Sequence, residues 1–217
     1  MLKYICYKNE VNTMNIYWIL YLGLGYLLGS IPFALVIGKL FYKTDVRNYG
    51  SGNLGGTNAG RVLGKKAGIS VILCDILKVV VAVGIVSYFD QNASIWAGFA
   101  AAFGHCYPIF AGFRGGKAVA TMFGFLLSTS IFTFQNAWYF FIPLIAFLIV
   151  LFLSKMVSLS SMVAAFVSSV FITYMQMHNG IEIIIASWLL TILVVYRHRG
   201  NIIKIKNGTE NKVSWLS

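Results

Sequence analysis

The sequence predicts an all-α polytopic membrane protein of seven transmembrane helices, with the N-terminus extracellular and the C-terminus cytoplasmic. The 217 residues are 59% hydrophobic and 11% charged, against roughly 45–50% and about 25% in soluble domains. Mean hydropathy is +0.78, and at about 20 residues per span the chain has room for seven spans with short loops. Of its 17 lysines and arginines, all but Lys3, Lys8 and Lys78 lie in stretches that seven spans would gather on one side. That is the positive-inside pattern.

No sizeable soluble domain fits between the apolar runs. Residues 1–217 are therefore expected to form one membrane domain, with a flexible extension over 1–14 and a cytoplasmic tail over 197–217. The net charge of +11 points to an anionic leaflet and anionic substrates rather than to nucleic acid, because the cations sit in short loops between apolar runs. Cys6, Cys74 and Cys106 are odd in number, and two lie in apolar runs. They predict neither a disulfide framework nor a metal site.

No charge occurs between Glu10 and Lys39, and residues 16–38 make the first span. No small-residue cleavage site follows a short apolar core, so this span is not read as a removed signal peptide; Met14 is an alternative start. Residues 39–66 read as a polar, glycine-rich loop, 67–89 as the second span carrying Asp75 and Lys78, 90–92 as a turn, and 93–110 as the third span. A tight basic loop follows over 112–117. The charge-free run 118–154 is too long for one comfortable helix and predicts two short ones turning near Gln135 and Asn136. Lys155 closes it, and 157–177 and 181–196 supply the last spans around a turn at 178–180. Reading 118–154 as a single span would move the basic tail to the opposite face, against the charge bias.

The first basic loop carries glycines at 50, 52, 55, 56, 60 and 64, interleaved with Ser51, Asn53, Thr57 and Asn58 and followed by Arg61. Glycines allow tight turns that bring N–H groups to a ligand, and the side chains add donors, so the loop suits a phosphate. No Gly-Lys-Ser/Thr triplet closes it, so nucleotide hydrolysis is not implied. The plainer reading is a flexible linker. A second cluster runs through His105 to Gly115, Gly116 and Lys117, where a compact ammonium beside a Gly-Gly turn favours an oxyanion or serves as a membrane anchor. His105 is a ligand, a base or a hydrogen-bonded structural residue. A third holds His198 and Asn201, three residues apart and on one face if the helix continues, able to hold a hydroxyl and its neighbouring phosphate. Asp75 and Lys78 have the spacing of an ion pair that lowers the cost of burial, either functional or pinning the span to a neighbour.

In their order, these pieces resemble the PlsY family of bacterial acyl-phosphate:glycerol-3-phosphate acyltransferases. The resemblance runs from Gly29-Ser30-Ile31-Pro32 through Gly50-Ser51-Gly52-Asn53 and Gly56-Thr57-Asn58, then Gly104-His105, Gly115-Gly116-Lys117 and Ala120-Thr121, to Arg197-His198 with Asn201. It implies acyl transfer from a fatty acyl phosphate to the 1-hydroxyl of sn-glycerol 3-phosphate, giving lysophosphatidate and inorganic phosphate with no cofactor and no metal. It also implies that Ser51, Arg61, Lys117, His198 and Asn201 bind substrate and support catalysis. Gly50, Gly52, Asn53, Gly55, Gly56, Thr57, Asn58, Gly115, Gly116 and His105 are expected to contribute to substrate binding. Ala118 stands where the family usually has glycine after Gly-Gly-Lys.

The chemistry is consistent with these groups. Arg61, Lys117 and nearby N–H groups would offset the Coulomb cost of joining two anions. An acyl phosphate is already activated, so the protein mainly positions the hydroxyl and stabilises the oxyanion. The proton goes either to His198 or to the donor's own phosphate. A transporter of a small phosphorylated or anionic solute is the competing reading, favoured by the intramembrane Asp75 and Lys78 and disfavoured by polar clusters on one face only. A non-catalytic scaffold would leave those clusters without a reason. Oligomeric state is not encoded in any of these motifs.

Overall fold

The computed structural model describes residues 16–178 and 180–213. Lys3, Cys6, Lys8, Met14, Asn179 and the expected extension over 1–14 lie outside the described residues. Among those described, every regular element is helical. The chain forms α1 (Ile16–Gly29), α2 (Phe33–Tyr42), α3 (Gly56–Leu63), α4 (Lys65–Ser87), α5 (Gln91–Cys106), α6 (Val119–Ser128), α7 (Trp138–Ser154), α8 (Val157–Gln176), α9 (Ile181–Arg197) and α10 (Arg199–Lys206). A π-helical turn, Thr129–Thr133, extends α6.

Three stretches, Ile16–Tyr42, Lys65–Ser87 and Val157–Gln176, are long and apolar enough to cross a membrane, and the bent pair Ile181–Arg197 with Arg199–Lys206 makes a fourth. Val119–Thr133 and Trp138–Ser154 are apolar but shorter. The run 118–154 is thus two helices. Its turn falls at Gln135, which adopts φ 48°, beside Asn136, whose side chain accepts from the Trp138 N–H at 3.0 Å.

Several expected boundaries are corrected. The first span reaches Tyr42 and is broken at residues 30–32, because Pro32 has no N–H to continue the ladder and disfavours helical geometry at Ile31. The helix expected as the third span, α5, stops at Cys106 for the same reason, Pro108 lying two residues on. The stretch 39–66 is only partly a loop. After Gly55 the chain turns into α3, whose Ala59, Val62 and Leu63 pack with Val46, Leu54 and Val71 into a small separate core. The tail is also structured: it bends by 57° after α9 and continues as α10.

Packing is close where side chains are small. A Cβ at Gly25 would lie 2.2 Å from the Ala97 carbonyl oxygen, and one at Gly29 would lie 2.0 Å from that of Ala101. The α1 and α5 backbones therefore touch, as small residues four apart allow in membrane helices. Asp90 caps α5, accepting from the Asn92 and Ala93 N–H groups at 2.9 Å, and takes the Trp18 indole N–H at 3.0 Å. The main core gathers Val83, Ala102, Met122, Phe125, Ala165 and Leu190 from α4, α5, α6, α8 and α9. Large apolar side chains such as Phe152 and Leu153 of α7 face outward, which suits a lipid surround.

Candidate active site

A cavity of about 840 Å³ opens where the loops after α2, α5 and α9 meet. Its size lies within the range of small-molecule sites, about 300–1,000 Å³. Ser51, Asn53, Gly55, Gly56, Thr57, Asn58, Arg61, His105, Lys117, His198 and Asn201 all line it. Gly50, Gly52, Gly115 and Gly116 do not; they shape the backbone behind it. An apolar wall continues inward, made of Ile72 and Ile76 of α4, Val119 and Phe123 of α6, and Phe140, Leu144, Phe147 and Leu148 of α7.

The first strip of the site is built around Asn58, which is 2% exposed. Its Oδ1 accepts from the Ser51 N–H at 2.8 Å and the Ser51 hydroxyl at 3.1 Å, while its Nδ2 donates to the carbonyls of Val46 at 3.0 Å and Tyr49 at 3.3 Å. Asn58 thus spends its amide on holding the loop. Gly50 has φ 61°, and a Cβ there would lie 2.4 Å from Asn58 Oδ1, so the turn requires glycine. Gly55 precedes α3, and with Gly56 and Thr57 it presents that helix's N-terminal end to the cavity.

The second strip is held by Arg197 at the end of α9. Its Nε donates to the Gly116 carbonyl and its Nη2 to that of Gly115, both at 3.0 Å, and the guanidinium stacks on Tyr107 at 5.1 Å. The Gly116 N–H donates to the His105 carbonyl at 2.9 Å. Ala118 then takes a left-handed conformation, φ 59°, and opens α6.

Lys117, at the end of that turn, donates from Nζ to Asn201 Oδ1 at 2.6 Å, and Asn201 Nδ2 donates to Glu210 Oε1 at 2.7 Å. An ammonium can only donate and a carboxylate only accept, so the two neighbours fix the orientation of the amide. Glu210 Oε1 also accepts from the Ser158 hydroxyl at 2.7 Å. Burial lowers the Lys117 pKa from its ordinary value, opposed by the Glu210 charge. His198, 3% exposed, donates from Nδ1 to the Val194 carbonyl at 2.8 Å, which leaves Nε2 as the acceptor. Burial lowers its pKa to about 4, so it is neutral at pH 7. The Val213 N–H donates to the Lys155 carbonyl at 2.8 Å, tying the tail to the α7–α8 loop at the same end of the bundle.

A sequence model described as glycerol-3-phosphate acyltransferase matches residues 19–208. The chain belongs to the glycerol-3-phosphate acyltransferase family. The glycerol-3-phosphate acyltransferase of Listeria monocytogenes serotype 4a is 45% identical over 214 residues, covering 94% of this chain and 100% of that one. That of Bacillus cereus (strain G9842) is 50% identical over 192 residues, 88% of this chain and 92% of that one. Two crystal structures of PlsY (YgiH), an integral membrane glycerol 3-phosphate acyltransferase, superimpose on this fold. The glycerol 3-phosphate form gives a TM-score of 0.83 at 32% identity, covering 92% of this chain and 97% of that one. The lysophosphatidic acid form gives 0.80 at 31% identity, with the same coverage.

In this member of the glycerol-3-phosphate acyltransferase family, three site residues escape a reading of the motifs: Arg197 as the clamp of the Gly-Gly turn, and Ser158 and Glu210 as the partners of Asn201. Glu210 was signalled only by being an acid in a tail otherwise rich in cations. Ser158 lies among the serines that open α8.

Proposed function

We propose that this cavity transfers a fatty acyl group from acyl phosphate to the 1-hydroxyl of sn-glycerol 3-phosphate, releasing lysophosphatidate and inorganic phosphate as the first acylation of phospholipid synthesis. The observation that carries this is the meeting of Lys117 and Asn201, 84 residues apart, at 2.6 Å in a cavity shared with Ser51, Arg61 and His198. The apolar wall of α4, α6 and α7 suits an acyl chain, and the cationic mouth suits two phosphates.

Lys117 and Arg61 counter the phosphate charges, and the N-terminal end of α3 adds oriented N–H groups for the acyl-phosphate group. His198 Nε2 accepts from the attacking hydroxyl and, with Asn201, orients the acceptor. An imidazole with pKa about 4 is a poor match for proton abstraction near pH 7. The hydroxyl oxygen attacks the acyl carbon, the bond from that carbon to the phosphate oxygen breaks, and the proton leaves on the departing phosphate.

The reading places the chain in the cell membrane as seven spans, α1 with α2 forming the first and α4 to α9 the rest. The N-terminus is outside, and the site and tail face the cytoplasm. It is supported by the gathering of the loops after α2, α5, α7 and α9 at one end, the end that carries most of the basic residues. The test is phosphate release by the purified protein in detergent. Release that needs both acyl phosphate and glycerol 3-phosphate supports acyl transfer; release without an acceptor, or none at all, removes it.

A further inference from the structure

Asp75, Lys78 and His105 form a buried group at the cavity wall, at 1%, 5% and 5% exposure. Its centre is the Lys78 ammonium. Nζ lies 2.7 Å from Asp75 Oδ1, one helical turn earlier on α4. It donates to the Ile31 carbonyl at 2.9 Å, an acceptor in the break between α1 and α2. It also stands 3.1 Å from His105 Nδ1, at the end of α5. The break, the ion pair and the histidine are thus one construction.

An ammonium has three hydrogens and no lone pair, so toward His105 it can only donate. This 3.1 Å contact is shorter than the 3.5 Å from His105 Nδ1 to Asp75 Oδ1, so Nδ1 carries the lone pair toward Lys78 and the ring proton sits on Nε2. Adding a second proton would set an imidazolium against an ammonium at contact distance. His105 is held as the neutral Nε2–H tautomer.

That N–H is placed to act. Nε2 rests against the turn that ends at Lys117, so closely that a Cβ on Gly116 would lie 1.9 Å from it. Among the described residues Nε2 has no hydrogen-bond partner, and both His105 and Asp75 line the cavity. The neighbouring cations are already engaged: Arg197 with the carbonyls of Gly115 and Gly116, Lys117 with Asn201. His105 lines the same cavity as the polar groups Ser51, Lys117 and Asn201 and the apolar residues Ile76, Val119 and Phe123. In an acyl phosphate the reacting carbonyl joins an apolar chain to an anionic phosphate, and this cavity offers lining of both kinds.

We propose that His105 Nε2–H donates to the carbonyl oxygen of the acyl donor as it becomes the tetrahedral oxyanion, with Lys78 and Asp75 as positioning residues that hold the donating tautomer. The assignment rests on the acyl-transfer reading above. A neutral donor stabilises developing negative charge without handing over its proton.

The experiment compares His105→Phe, which keeps a ring of similar size without a donor, with His105→Gln, which restores an N–H. In the phosphate-release assay His105→Phe should lower kcat by about 10²-fold with KM for either substrate little changed, and His105→Gln should recover at least about tenfold of that loss. Histidine ¹⁵N spectra of the wild-type protein in detergent supply a readout independent of turnover and of variant folding. One histidine that disappears in His105→Gln should show a protonated Nε2 and a bare Nδ1 at pH 7, and Lys78→Met should abolish that single-tautomer signature. An active wild-type protein whose folded His105→Phe variant keeps kcat within twofold overturns the donor assignment alone. A His105 signal protonated at Nδ1 does the same. A wild-type protein that releases no phosphate overturns the acyl-transfer reading, and the donor assignment with it.

Discussion

Lys117 Nζ and Asn201 Oδ1 lie 2.6 Å apart although 84 residues separate them. Because the same amide donates to Glu210, the lysine is held at the cavity mouth by a chain of hydrogen bonds and not by its flexible stem alone. A preorganised cation loses little freedom when an anion arrives, which is where electrostatic catalysis gains most. Lys117→Ala and Arg61→Ala are each expected to lower turnover by at least about 10²-fold, the scale of losing one oxyanion contact. The check is phosphate release at saturating concentrations of both substrates. Near-normal rates in both variants would remove the proposed site.

Glu210 Oε1 accepts two hydrogen bonds, from Asn201 and Ser158, and Oε2 is buried. Truncating it leaves two donors without their acceptor and frees the Asn201 amide to rotate. Glu210→Ala should destabilise the protein by about 1.5–3 kcal/mol, the range for hydrogen bonds to a charged group, and Glu210→Gln should regain part of that because an amide oxygen still accepts. Thermal unfolding in detergent measures both. Equal melting temperatures for wild type and Glu210→Ala would mean the tail does not brace the site.

The motifs named the parts but not their use of atoms. Spacing alone suggested that Asp75 and Lys78 pair; it gave no hint of His105 or of the Ile31 carbonyl, because both contacts depend on how α1, α4 and α5 pack. Pro32 announces the break in the first span, yet a hydropathy average over residues 16–38 runs straight through it. Asn58 reads as a ligand donor because its amide is polar and lies in a glycine-rich loop, whereas folding consumes all four of its contacts internally. Arg197 reads only as the first residue of the Arg197-His198 motif until its guanidinium is seen on the carbonyls of Gly115 and Gly116. What sequence pattern conveys is the order of apolar runs and the residue types between them; the partners of buried polar atoms are fixed by tertiary packing.

His198 has its pKa lowered from 6.5 to about 4 by burial. Between these values the unfolded chain binds a proton at this position that the folded protein does not, so stability falls as pH drops from 6.5 toward 4 and is fully present above 6.5. The contribution is at most about 3 kcal/mol. Denaturation midpoints should decline with acid over that window in the wild type, and the decline should be shallower in His198→Ala. In turnover, His198→Ala should raise KM for glycerol 3-phosphate, with extra acceptor partly restoring the rate. A saturated rate that stays low would make His198 a base rather than an orienting group.

Seven spans put Lys43 and Lys206 on one side of the membrane and Asn92 on the other. In a background with Cys6, Cys74 and Cys106 replaced by alanine, single cysteines at 43 and 206 should react with an impermeant maleimide only after cells are opened. A cysteine at 92 should react in intact cells. Labelling of 43 and 92 from the same side would break the seven-span topology and its orientation.

Ala118 holds φ 59° and ψ 14° while fully buried, and its carbonyl accepts from the Met122 N–H at 2.8 Å as α6 begins. The left-handed region costs a residue with a Cβ about 1–2 kcal/mol, and glycine enters it freely. Against that gain, Ala118→Gly loses the packing of one buried methyl and frees the unfolded chain, each worth somewhat less than about 1 kcal/mol. The balance predicts a change in stability within about 1 kcal/mol of zero. Arg197 grips Gly115 and Gly116 regardless of residue 118, so turnover should stay within about threefold of wild type, a difference of about 0.7 kcal/mol. Melting temperature and kcat measured on the same preparation test the two halves. A large loss of activity with unchanged stability would show that the methyl group, and not the Arg197 clamp, sets the position of Lys117.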